Sequence, residues 1–221
     1  RALNSLLIQE GDFQREFVVV DDGSTDRSFE IASKIVGVLS NGRVLRQDNS
    51  GPAVALNNGV AEATMPFVKT LDGDDILTPD ATARLLLGFA NPHVALVTAS
   101  SSPLLGAEAE AVVDRNGIDP IFKVMNQPLA HVIRHSMAGC SAVLFRRDRF
   151  LDCGGCDPTV FVQDYTLIWR MAVRNAIAVS KDQVCFSPAV GERTFEGSRD
   201  SLTLNKLQVE HDRNAALLGL L

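Results

Sequence analysis

FVVVDDGSTDRSFEIA, residues 17–32, and FVKTLDGDDILTPDAT, residues 67–82, carry one pattern twice: a short apolar run, a cluster of aspartates, then a helix signal. Phe17 to Val20 is β-branched and apolar, and it stops at Asp21-Asp22-Gly23. Ser24-Thr25-Asp26 then supplies capping residues for a helix predicted from Arg27 to about Val38. In the second copy, Pro66 to Leu71 is predicted as a strand ending at Asp72-Gly73-Asp74-Asp75, and Pro79 opens a helix to about Ala90. Working outward, Arg1 to Gln9 reads as the end of an amphipathic helix. Val44-Leu45 reads as a strand, Gly51 to Ala63 as a helix and Val94 to Thr98 as another strand. Apolar strands alternating with helices predict an α/β fold: a doubly wound, mixed but mostly parallel sheet flanked by helices. Such a sheet normally opens with a strand. This chain opens inside a helix, so its first strand is expected to be missing.

The second half is more mixed. Met125 to Arg134 is predicted helical, Ser141 to Phe145 a strand, Asp164 to Asn175 a helix, Val184 to Phe186 a strand and Leu202 to Leu221 a helical tail. The 221 residues amount to about 1.5 typical domain lengths. With no repeat, low-complexity tract or linker, one domain is expected, residues 1–98 forming one half and 99–221 the other. Hydrophobic residues at 46% and charged ones at 22% exclude general disorder. A net charge of −6 leaves no global basic field for a nucleic-acid backbone, so no nucleic-acid partner is expected. No apolar run is long enough for a membrane helix, and no signal segment opens the chain.

Of the four cysteines, Cys153 and Cys156 have CxxC spacing, but Cys140 and Cys185 are isolated. The second half of a zinc ribbon is absent, and structural thiols are expected. The lack of an Asn-x-Ser/Thr sequon agrees with a cytoplasmic setting. His131 and His135 are four apart on the predicted helix, but Val132 stands where a zinc protease needs Glu. Arg146-Arg147 could face a diphosphate or pair with surface carboxylates. Trp169 and Met171 read as core.

In an open α/β sheet, ligands bind beyond the carboxyl ends of the strands. Both aspartate clusters fall there. Five carboxylates at one rim repel unless solvated, protonated or neutralised by a cation. Hard oxygen ligands select Mg²⁺ or Mn²⁺, which take one or two carboxylates plus substrate phosphates. Asp72-Gly73-Asp74 therefore suits a metal–diphosphate clamp. The alternative for either cluster alone is a turn. A second alternative is a phospho-receiver domain, with an acidic pair after one strand and a phosphorylated Asp72 after another. Against it, the chain is too long, and Asp74 and Asp75 have no role there.

Four ordered strings carry a resemblance: VVVDDGSTDRSFEIA (residues 18–32), QDNSGPAVALNNGV (47–60), FVKTLDGDDILTPDAT (67–82) and GCSAVLFRRDRFLDCGGCDPTVFVQDYTLIWRMA (139–172). Together they resemble the family 2 glycosyltransferases with the GT-A fold, from Arg1 to about Ala172 and more loosely to Thr203. The resemblance implies an inverting transferase of polysaccharide biosynthesis that uses a nucleotide-diphospho-sugar, a UDP-sugar favoured, and Mn²⁺ or Mg²⁺. It places Asp22 at the nucleotide base with Asp21 beside it. Asp72, Gly73 and Asp74 fall at the ribose, diphosphate and metal, with Asp75 adjacent. Asp164, in VQDY, matches the catalytic base, and Gly139-Cys140-Ser141 and Gly154-Gly155 line the acceptor side. The acceptor would be a saccharide, a lipid-linked saccharide or a protein. A membrane-bound acceptor would bring the domain to the cytoplasmic membrane face. An inverting base must be ionised, and a helix start favours that form at Asp164; the other reading of Asp164 is a plain N-cap. The chain departs from the pattern at Leu56, where an Arg is usual before Asn57, and at Phe195, where many members place a His after Arg193-Thr194. Phe195 and the missing strand motivate a second reading, a catalytically impaired nucleotide- or glycan-binding domain.

Overall fold

The computed structural model describes residues 1–104, 119–135, 139–160, 162–188 and 212–217. Arg193 to Phe195 and most of the predicted tail lie outside the described residues; 212–217 within that tail is helical.

Both copies of the opening pattern fold as strand, aspartates, helix. In the first, β1 (Phe17–Asp22) includes both aspartates as its last residues and is followed by α2 (Ser28–Ile35), after a preceding helix α1 (Ala2–Leu7). The Ser28 amide donates to Asp26 Oδ1, a turn that starts the helix. β2 (Gly42–Gln47) leads through Gly51 into α3 (Pro52–Glu62), where Pro52 at the helix start loses no hydrogen bond. In the second copy, β3 (Phe67–Lys69) is only three residues long, because its ladder partner leaves it after Lys69. β4 (Ile76–Leu77) and α4 (Ala81–Leu87) follow the second aspartate cluster.

Four predicted boundaries move. β5 runs from Val94 to Leu104, well past Thr98. Met125 lies in a strand, β6 (Lys123–Met125), and the helix α5 (Leu129–Arg134) starts only after Pro128. Cys140–Ala142 is a 3-10 turn, so Ser141 lies just ahead of the strand β7 (Val143–Arg146). After α6 (Arg147–Asp152) and α7 (Gln163–Arg174), the last strand β8 spans Ala176–Pro188, eight residues earlier in its start than Val184.

The mixed, helix-flanked sheet comes in two hydrogen-bonded parts. β1 and β2 pair in parallel, and the other six strands run β3-β7-β5-β8-β4, with β6 also on β8. The parallel pairings are the long ones, β1 along β2 and β5 along β8, whereas the antiparallel ones join two or three residues each. Between Thr98↔Val179 and Ser100↔Gln183, β8 carries two extra residues, which bulge at the polar Ser180-Lys181-Asp182 step.

Alternation across the sheet fills two cores. Val143 and Phe145 face one cluster with Leu167, Ile168, Trp169 and Met171 of α7, while Leu144 between them faces a second with Ala81 and Leu85 of α4. Ile177 and Ala178 divide in the same way. The helices therefore lie on both faces of the sheet, as a doubly wound arrangement requires. Trp169 and Met171 are core residues, and the Trp169 indole N–H donates to Val132 O on α5 at 3.2 Å. Glu16 joins the two sheet parts where β1 and β3 begin: its carboxylate accepts from the amides of Thr64 and Met65 and pairs with Arg43. Among the described residues no helix is long and apolar enough to cross a membrane.

Gly154 and Gly155 form a turn at φ +82° and +68° that only glycine adopts without strain. Asn57 clamps it: its Nδ2 donates to Cys156 O and its Oδ1 accepts from the Cys156 amide, both at 2.8 Å. A Cβ at Gly155 would stand 2.5 Å from Asn57 Oδ1, whereas one at Gly154 meets nothing nearer than Arg170 Nη1 at 3.9 Å. Gly155→Ala should cost about 2 kcal/mol and lower Tm by about 4–8 °C, while Gly154→Ala should cost about half as much. Equal effects in thermal melts would rule out the Asn57 contact as the cause.

Candidate functional site

Four carboxylates gather beyond the end of β3. Asp72 is half-buried, Asp74 and Gly73 are exposed at the turn, and Asp75 is buried, its amide closing the turn onto Asp72 O. The fourth, Asp164, comes from the first turn of α7, more than ninety residues later. It does not cap that helix: the capping position is Val162, and no side chain bonds there. Its carboxylate faces Gly139 instead, with Oδ2 3.8 Å from where a Cβ on that glycine would stand.

The 139–142 turn is the piece that joins the two. Its Ser141 hydroxyl accepts the Asp72 amide at 2.8 Å, and the Cys185 thiol donates to Asp75 Oδ2 at 3.9 Å. Thr70 Oγ1 donates to Cys140 O at 2.5 Å. Lys69, three residues before Asp72, extends its ammonium inward to Thr70 O at 2.7 Å and Ser141 O at 2.5 Å. Of the residues expected on the acceptor side, Gly139, Cys140 and Ser141 thus stand between the Asp72–Asp75 cluster and Asp164. Gly154 and Gly155 sit in the clamped turn described above, with Arg170 Nη1 donating to Gly155 O at 3.1 Å.

Charge explains the behaviour of the cluster. Burial, and then the carboxylates of Asp75, Asp164 and Asp74, push Asp72 up to about 7, with Lys69 opposing them. Burial also raises Asp75, against the Ser141 hydroxyl, and raises Asp164, against its own amide. The same burial pushes Lys69 down to about 8, although Cys185, Cys140, Asp72 and Asp75 all favour its charged form. The site is therefore short of positive charge. All its exposed donors are hard oxygens, and among the described residues no three His, Cys, Asp or Glu side chains converge to hold a metal by themselves. That donor set fits Mg²⁺ or Mn²⁺ completing its shell on phosphate oxygens.

The first cluster is held apart from these four. Asp21 is buried, with Oδ2 3.3 Å from Arg46 Nε in an ion pair that lacks hydrogen-bond alignment. Asp22 spends most of its carboxylate on the loop into α3, accepting from Gln47 Nε2 at 2.8 Å, Ser50 N at 2.8 Å and Gly51 N at 2.9 Å. A contact with a ligand would share those oxygens. Beside it, residues Gly23–Asp26 and Arg46–Asn49 line an open groove of about 910 Å³, to which none of the second-cluster carboxylates contributes.

Other expectations resolve as packing. Arg146 donates to Val94 O and lies over the Phe67 and Phe89 rings, and Arg147 donates to Val60 O and Ala61 O, so both leave the site. The cysteines are free thiols; Cys140, Cys156 and Cys185 are buried, and burial pushes Cys156 and Cys185 up to about 12. His131 on α5 and His135 just past its end are exposed, their rings tilted against each other with centroids 4.7 Å apart. The residue missed in the sequence is Lys69. A lone cation in the strand leading straight into the aspartates was the available signal.

A sequence profile described as "Glycosyl transferase family 2" matches residues 1–148. Among curated proteins, the chain is 27% identical over 173 residues to the poly-beta-1,6-N-acetyl-D-glucosamine synthase of Staphylococcus aureus, covering 73% of this chain and 40% of that protein. It is 29% identical over 217 residues to the succinoglycan biosynthesis protein ExoU of Rhizobium meliloti, covering 92% of this chain and 61% of ExoU. The chain thus spans less than two thirds of either relative. Among solved structures, S. aureus TarS in complex with UDP superposes with a TM-score of 0.65 at 22% identity, over 85% of this chain and 55% of that one. The mannosyltransferase PcManGT of Pyrobaculum calidifontis, solved with GDP-Man and Mn²⁺, gives 0.58 at 20% identity, over 89% and 53%. These two likenesses speak to the fold, which is theirs.

Proposed function

Because the chain belongs to glycosyl transferase family 2, we propose that its site moves a sugar from a nucleotide-diphospho-sugar to a hydroxyl acceptor with inversion, Asp164 acting as base. The observation that carries this reading is the meeting of Asp72 and Asp164 across the Gly139–Ser141 turn, two carboxylates from distant parts of the chain made to share one half-buried space. Donor contacts come from residues 1–98 and acceptor contacts from 99–221, within one domain.

Inversion needs the acceptor oxygen to attack the anomeric carbon on the face opposite the leaving group. As the new C–O bond forms, Asp164 takes the hydroxyl proton, and the bond to the nucleoside diphosphate breaks with its electron pair. Asp72 and Asp74 would hold Mg²⁺ or Mn²⁺, and a cation there supplies charge neutralisation to the departing diphosphate. Burial of Asp164 strengthens it as a base by raising its proton affinity. Asp22 and the loop it organises would meet the nucleotide base. Gly139 keeps the space before Asp164 open, since any side chain there would stand against the carboxylate.

UDP-sugars are the proposed donors, supported by the UDP and UDP-GlcNAc complexes of TarS; the GDP-Man and Mn²⁺ complex of PcManGT supports a divalent metal. A saccharide acceptor is the proposed one, supported by the polysaccharide-producing relatives. Calorimetric titration of UDP and GDP, with and without Mn²⁺, tests the donor side. UDP binding should strengthen by about two orders of magnitude with Mn²⁺. Binding of equal strength in EDTA would refute the metal-assisted reading, and ligand retention without transfer to any saccharide would favour a binding domain.

A further inference from the structure

The β3–β7 ladder ends at the pair Lys69↔Leu144. Beyond it the two chains diverge, one toward Asp72 and the other back through Ser141 to Gly139. The ladder's hydrogen bonds are there replaced by side chains: Thr70 Oγ1 to Cys140 O, the Asp72 amide to Ser141 Oγ, and the Lys69 ammonium to both Thr70 O and Ser141 O. The Lys69 ammonium ties a backbone carbonyl of each continuation to one charged group. It is also the cation nearest in sequence to the aspartates, and its charge works against the repulsion that Asp75, Asp164 and Asp74 exert on Asp72.

A lysine turned inward loses hydration and side-chain entropy, so it contributes little to stability unless its donors and charge are met. Here two carbonyls take its donors, and Asp72 and Asp75 supply the countercharge. Gly139, which faces Asp164, is two residues from the Ser141 carbonyl that Lys69 holds, and the Ala142 amide closes the turn back onto Gly139 O at 2.9 Å. A shift of the turn away from β3 would therefore move the space in front of Asp164 relative to Asp72.

Resting on the glycosyl-transfer reading above, we propose that Lys69 is a positioning residue: by bonding Thr70 O and Ser141 O together, it sets the distance between the donor-side Asp72 and the base Asp164. It touches no reacting atom, so its effect belongs in kcat more than in donor affinity.

Lys69→Met tests this in the full chain, because methionine keeps the length of the stem while removing the donors and the charge. Amide exchange of Asp72 and Ala142, followed by NMR, should speed by about tenfold or more while the β5 amides keep their protection. In the same variant kcat should fall by about 10–100-fold with donor KM changed less than about threefold, the behaviour of a reaction whose partners are misplaced by a fraction of an ångström to one ångström. Lys69→Arg, which keeps charge and donors, should restore part of the exchange protection and of kcat. Unchanged exchange at Asp72 and Ala142 would overturn the proposal, as would losses of kcat and Tm that run in proportion across the Met and Arg variants. Should the parent chain itself show no transfer, the functional reading fails, and the exchange measurement still decides whether Lys69 holds the two strands in register.

Discussion

Asp164→Asn should lower kcat by about 10²–10⁴-fold while donor affinity stays within about threefold. The substitution is isosteric and removes only the ability to take a proton. Asp164 is not the cap of α7, so no capping bond is lost and the helix start survives. Its carboxylate adds to the repulsion that pushes Asp72 upward, so the amide should leave stability equal or slightly higher. Activity and stability then move apart, which a packing role would not produce. The pH profile gives a second check. Burial raises the Asp164 pKa above 3.8, so the base form dominates only above that raised value. In the parent, kcat/KM should rise with pH along an acid limb displaced upward from the ordinary carboxylate range; in Asp164→Asn, the residual rate should lose that limb. Steady-state transfer from a UDP-sugar, measured from pH 4 to 8, reads both. Unchanged turnover in the variant would remove Asp164 from the base role.

How much of this was legible beforehand differs by element. The endings of β1 and β3 were readable because apolar β-branched residues stop abruptly at aspartate, and that boundary is local chemistry. The length of β8 was not. Its bulge falls on Ser180-Lys181-Asp182, where polarity reads as a loop, and only parallel pairing with β5 carries the strand through. Around Met125 apolar spacing does not separate a short strand from a helix; Pro128 and the pairing of Lys123–Met125 with β8 decide it. In the site, Asp72, Asp74 and Asp164 were named from motif order, yet their meeting depends on the Gly139–Ala142 turn, a long-range arrangement that no window contains. Asp22 was named for a ligand, and its carboxylate also organises the Gln47–Gly51 loop. The role of Lys69 is not legible from sequence, because a lysine in a strand reads as solvent-facing and only the fold brings its ammonium onto two carbonyls.

The second large effect is expected at Asp74. Asp74→Ala should abolish the strengthening of UDP binding by Mn²⁺, a loss of about two orders of magnitude, since even residues that merely support a ligand typically change metal affinity 10–100-fold. Binding in EDTA should remain within about twofold of the parent. Asp74 suits this test because it is exposed at the tip of the turn and, among the described residues, its side chain makes no hydrogen bond that holds the fold. Truncating it should therefore change stability by no more than about 0.5 kcal/mol. Asp75 would be the wrong residue to cut: its side chain is buried and meets the Cys185 thiol, so its loss would leave a void beneath the turn that Asp72 depends on. The two aspartates separate the consequences of charge from those of architecture. If the cluster serves only to shape the turn, Asp74→Ala leaves the Mn²⁺ effect intact and Asp75→Ala removes it by unfolding. If it serves to hold a cation against a diphosphate, Asp74→Ala removes the Mn²⁺ effect from a protein that melts where the parent does. Calorimetry of UDP with and without Mn²⁺, paired with melts of the same samples, tells these apart, and an undiminished Mn²⁺ effect in folded Asp74→Ala would exclude Asp74 from the metal.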